Sequence, residues 1–127
     1  MERIKRIPES ELEIMMIIWE SDQPVTSAYV MENLPKEKKW AQTTVLNFLA
    51  RLVDRGFLAF SKQGRVNYYT PLVDEDDYLH QESKSFLEKM HMGSVKNFVA
   101  ALYDGEAIDE EDLLELKKYV EEVSKKK

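Results

Sequence analysis

The chain has 127 residues, 43% of them hydrophobic, with no cysteine and a formal net charge of -6. That length and composition suit one core, or one small domain with an appendage, and are unlike those of a disordered polymer. The lack of cysteine excludes a disulfide framework, a thiolate metal site and a cysteine nucleophile, and fits a reducing cytoplasm. No window approaches the roughly 20 apolar residues of a membrane span, so membrane insertion is not expected.

The charge is unevenly placed. Residues 1–71 carry 10 Lys+Arg against 9 Asp+Glu, whereas residues 72–127 carry 8 against 15. Within the first part, residues 36–65 hold Lys36, Lys38, Lys39, Arg51, Arg55, Lys62 and Arg65 against only Glu37 and Asp54, a local +5. Overall acidity therefore does not exclude nucleic acid, because a local basic surface is what meets phosphates.

In "PESELEIMMIIWE", Ser10 precedes Glu13 by the capping-box spacing, and Leu12, Met15, Met16 and Trp19 follow along one face. A helix from about Ser10 to Glu20 is predicted. After "SDQPV", the stretch "TSAYVMENL" gives a second short helix, with Thr26 or Ser27 as cap, Val30 and Leu34 inward, and Pro35 as its stop. The polar link "PKEKK" leads to a third helix, Ala41 to Arg55, with Gly56 where a left-handed C-terminal residue is expected.

Beyond it, "FLAFSKQGRVNYYTP" reads as a β-hairpin turning at "KQGR" and closed by Pro71. The helical pattern resumes at Asp74 with "DEDDYLHQESKSFLEKM", "SVKNFVAALY" and "DEEDLLELKKYVEEVSKKK". Asp109 is placed to cap the last helix. The predicted units are residues 1–73 and 74–127.

The third helix opens on Gln42, Thr43 and Thr44, and adjacent β-branched residues lose rotamer freedom there. An inward stripe of Leu46, Leu49 and Val53 leaves Gln42, Thr43 and Asn47 to project outward with amide and hydroxyl groups, the side of Thr44 being left open. The competing explanation is that Thr43 or Thr44 merely caps the helix. Arg51 and Arg55 are expected to meet phosphates or pair with Asp54.

Three helices followed by a hairpin is the order of a winged helix-turn-helix, whose third helix enters the major groove and whose hairpin lies along the backbone. On that frame Gln42, Thr43, Thr44 and Asn47 are candidates to read base edges. Lys38, Lys39 and Arg51, and Lys62 and Arg65 at the hairpin tip, are candidate phosphate contacts. Trp40 is assigned to packing. Tyr68 and Tyr69 alternate faces, which sends one of them to the core.

"IPESELEIMMIIWE", "KKWAQTTVLNFLARLVDRGFL" and "GRVNYYTPLVDEDDY" resemble, in order and spacing, the penicillinase-repressor family. That family includes regulators of β-lactamase and methicillin-resistance genes and a copper-responsive branch. The resemblance implies a mainly α chain: an N-terminal winged helix-turn-helix of three helices plus a β-hairpin wing, then a helical dimerisation region. It further implies a homodimeric repressor on a dyad-symmetric double-stranded DNA operator.

In antibiotic-responsive members a sensor-linked protease relieves repression by cleaving the C-terminal region. Two bonds match the family's site here, Asn97-Phe98 by composition and Ala101-Leu102 by ungapped register. The copper branch uses C-terminal cysteine pairs, which this chain lacks.

Among the C-terminal residues, Phe86, Phe98, Leu102, Leu113, Leu116, Val120 and Val123 are the candidate dimerisation surface. About 55 residues make a marginal independent core, and helices that cannot cover an apolar face alone find a second copy. His80 and His91 lack any short metal-ligand spacing, so no metal or cofactor is expected. No nucleophile-elbow, zincin, phosphate-loop or dinucleotide motif occurs, and an enzyme is not expected. The alternatives are a protein-interaction module that uses the winged helix without DNA, and a sensor with a pocket between wing and C-terminal helices.

Overall fold

The computed structural model describes residues 4–126. Its elements are α1 (Glu9–Trp19), β1 (Val25–Thr26), α2 (Ser27–Asn33), α3 (Gln42–Asp54), β2 (Leu58–Gln63), β3 (Val66–Pro71), α4 (Glu75–His91), α5 (Val95–Asp104) and α6 (Glu110–Lys125). The chain divides into two compact units after Glu82. The fold is mainly α, with a winged helix in the first unit.

The first unit's sheet has the order β1-β3-β2 and is antiparallel throughout. Phe60 lies opposite Tyr69 in the hairpin, and Val25 takes Tyr69 from the other side. The core beneath is built from Ile14, Met15 and Ile18 of α1, Val30 of α2, Val45, Leu49 and Leu52 of α3, and Leu58 and Tyr69 of the sheet.

Local signals explain most boundaries. The Thr26 hydroxyl accepts the Tyr29 N–H and caps α2. Gly56, at φ +86°, ends α3: its N–H reaches the Val53 carbonyl at 3.1 Å, and the Phe57 N–H reaches that of Leu52 at 2.9 Å. This is the paired bonding of a Schellman motif, and only glycine adopts that φ without a steric penalty.

Three expectations are corrected. Helix α1 begins at Glu9 with Pro8 at the cap position and no side-chain cap, so Ser10 and Glu13 do not form a capping box. Glu13 instead pairs with Lys38. The buried seam of α3 is Val45, Leu49 and Leu52, whereas Leu46 is exposed and Val53 half-buried.

The first unit also reaches past residue 73 into α4. Tyr78 is buried, its hydroxyl oxygen accepts the Ile7 N–H at 2.8 Å, and Gln81 Oε1 accepts the Ile4 N–H at 2.9 Å. Burial pushes the Tyr78 hydroxyl's pKa above its ordinary 10.0, partly offset by that Ile7 N–H.

In the second unit, Ser94 caps α5 by accepting the Asn97 N–H. Asp109 and Asp112 form a reciprocal capping box at the start of α6, at 2.9 and 3.0 Å. The rings of Phe86, His91 and Phe98 lie within 5.1–5.9 Å of one another. None of the described residues from Ser83 onward is fully buried.

Candidate nucleic-acid interface

Helix α3 starts without a side-chain cap: Ala41 occupies the cap position, and its carbonyl accepts the N–H groups of Thr44 and Val45 at 3.0 and 3.2 Å. Neither Thr43 nor Thr44 is used as a cap. Gln42, Thr43 and Asn47 are exposed and Thr44 is half-buried, so the front turns carry free amide and hydroxyl groups. Helical periodicity sets Thr43 and Asn47 on one line, with Ala50 next along it. The small Ala50 leaves room for a close approach.

The wing stands beside this front. Gly64, at φ +64°, makes the turn between β2 and β3, with Lys62 and Arg65 exposed on either side. A surface groove runs between the two elements, lined by Gln42 and Leu46 of α3 and by Arg65, Val66, Asn67 and Tyr68 of the wing. Thr26, Ser27 and Ala28 also line it. Of the paired tyrosines, Tyr69 is in the core and Tyr68 is half-buried along this groove.

The cations divide by what they touch. Lys39, Lys62, Arg65 and Arg51 are exposed, the last with its guanidinium 5.9 Å from the Phe48 ring. Lys38 is committed to Glu13 at 3.2 Å and lies 5.4 Å from the centre of the Trp40 ring. Trp40 itself packs edge-on against Phe48, as assigned.

Arg55 departs from expectation. It neither pairs with Asp54 nor points free to solvent; its Nη1 donates to both carboxylate oxygens of buried Glu11, at 3.0 and 3.3 Å. That contact pins the far end of α3 to α1.

Sequence reasoning missed Leu46 as a surface residue. The apolar positions 45, 46, 48, 49, 52 and 53 form an arc wide enough for two seams, and the pattern does not choose between them.

The candidate dimerisation residues all lie in the second unit. Phe98, Leu102 and Leu113 are half-buried, while Phe86, Leu116, Val120 and Val123 remain 46, 38, 51 and 41% exposed. Both candidate cleavage bonds, Asn97-Phe98 and Ala101-Leu102, fall inside α5. Among the described residues, no helix is long and apolar enough to cross a membrane, and no group of three or more His, Asp or Glu side chains is placed to hold a metal ion.

A family model described as Penicillinase repressor matches residues 7–122. The chain is 33% identical over 127 residues to the penicillinase repressor of Bacillus licheniformis, covering 100% of this chain and 98% of that one. It is 27% identical over 111 residues to the methicillin resistance regulatory protein MecI of Staphylococcus aureus (strain N315), covering 87% and 89%.

Among solved structures, it is similar to the B. licheniformis BlaI monomeric form in complex with the blaP half-operator. There the identity is 38% and the TM-score 0.51, over 61% of this chain and 94% of that one. The DNA-binding domain of the repressor BlaI matches over the same shares with a TM-score of 0.52. With the family model spanning both units and a full-length relative at this identity, the chain belongs to the penicillinase-repressor family.

Proposed function

We propose that the chain is a homodimeric transcriptional repressor that binds a dyad-symmetric DNA operator through the front of α3. The observation that carries this reading is the uncapped, exposed polar turn Gln42–Thr43 with Asn47, flanked by the basic wing tip. A helix front of this kind fits the major groove, where amide and hydroxyl groups meet base edges and threonine methyls meet thymine.

Lys39, Arg51, Lys62 and Arg65 contact phosphates, setting register without selecting sequence. Lys38 acts mainly through Glu13 and Trp40, shaping the entry to α3. Dimerisation is supported by a second unit in which no described side chain is fully buried, with Leu116, Val120 and Val123 along α6 needing cover. The acidic C-terminal half suits a unit held off the phosphates.

Relief by proteolysis at Asn97-Phe98 or Ala101-Leu102 would require α5 to open locally, because a bond inside a helix must leave it before it can enter a protease site.

The test is a mobility-shift series on a duplex selected by the full chain from a randomised pool, with Gln42, Thr43, Thr44 and Asn47 changed singly to Ala. A base-reading residue loses discrimination at particular positions by roughly 1–3 kcal/mol. Equal weakening at every base would overturn the assignment.

A further inference from the structure

Leu46 does not fit the chemistry around it. It is 37% exposed on a helix front otherwise made of Gln42, Thr43 and Asn47. The core does not need it, since Val45, Leu49 and Leu52 are already at 0% exposure and complete the inward seam. It lies one turn after Gln42 and beside Asn47, on the edge of α3 that shares the groove with Arg65 and Val66 of the wing. A leucine there can neither accept nor donate a hydrogen bond, and it has no attraction for phosphate.

On the base edges of the major groove the apolar partner for such a side chain is the C5-methyl of thymine. We infer that Leu46 is a specificity-determining residue that selects thymine at one position of each half-site by packing on its methyl group. The inference rests on the DNA-binding reading above and adds what that reading lacks: an apolar discriminator among the polar ones. Leu46 stays partly in water until the duplex arrives, and the methyl group then covers it. Cytosine, without that methyl, leaves it uncovered.

The experiment replaces each thymine of the selected duplex in turn by deoxyuridine, which removes only the methyl. Binding is measured for the wild-type chain, Leu46→Ala and Leu46→Met. At one thymine per half-site the wild type weakens about fourfold, the equivalent of the ~0.8 kcal/mol gained on burying one methyl-sized group. Leu46→Ala, which loses the contact in both half-sites, binds the unmodified duplex about 16-fold more weakly and no longer responds to deoxyuridine there, while Leu46→Met keeps the response.

A wild type indifferent to every deoxyuridine overturns the inference. So does a Leu46→Ala chain with the wild-type substitution profile. A merely structural Leu46 would change melting temperature and leave the methyl response in place. If the wild-type chain selects no duplex at all, the DNA-binding reading itself has failed, a result distinct from either of these.

Discussion

Replacing Arg55 by Met leaves the Glu11 carboxylate, only 2% exposed, without the guanidinium that now meets both its oxygens. Stripping one partner from a fully buried pair costs about 3–5 kcal/mol. Here the Arg55 side chain is 42% exposed, so water already shares the contact and the expected loss is smaller, about 2–3 kcal/mol. For a unit of this size each kcal/mol moves the midpoint by roughly 4–8 °C, so the melting temperature falls by about 8–24 °C.

Urea unfolding of the full chain followed by tryptophan fluorescence reads this unit selectively, because both tryptophans, Trp19 and Trp40, belong to it. The double variant Glu11→Leu, Arg55→Met removes the stranded charge and should recover most of the loss. An Arg55→Met chain within about 0.5 kcal/mol of wild type, or a double variant whose loss equals the sum of the single losses, would refute the reasoning.

Tyr78→Phe removes the acceptor for the buried Ile7 N–H and should cost about 1–3 kcal/mol in the same assay. The pH dependence has a definite sign. Since folding raises the Tyr78 pKa above 10.0, its contribution is intact below that pH and fades as pH rises through the folded value; Tyr78→Phe should flatten this part of the alkaline decline. Lys62→Ala and Arg65→Ala should each weaken binding evenly across sequences and lower the slope of log affinity against log salt by about 1. Val120→Asp on exposed α6 should shift the sedimentation behaviour from dimer to monomer while the tryptophan-reported unfolding of the first unit stays unchanged.

Local devices were legible in the residues. The Thr26 and Asp109 caps, the glycine stop at Gly56 and the turn at Gly64 each depend on a few neighbours, and each forms as expected. The winged-helix order was legible for the same reason. What escaped depends on distant partners. Arg55 finds Glu11 across 44 positions of sequence, whereas spacing suggested only the adjacent Asp54. Strand β1 is two residues long and exists because β3 is beside it, so no alternation announces it.

The seam of α3 was misassigned because Leu46 and Val45 are both apolar, and only the placement of α1 and the sheet turns Val45 inward. The outward placement of Gln42, Thr43 and Asn47 survived that error, since either seam leaves them on the surface. The capping box expected of Ser10 and Glu13 does not form because Pro8, suited to a first turn by its fixed φ, opens α1 without a polar cap.

The most direct test of the account is a base-interference footprint of the full chain on its selected duplex. The account predicts two blocks of major-groove interference, related by a dyad and centred about 10–10.5 base pairs, or a multiple of that, apart on one face of the helix. Within each block, single Ala changes at Thr43 and Asn47 should erase interference at individual bases. A single unpaired block, or a footprint confined to phosphates and indifferent to those changes, would contradict it.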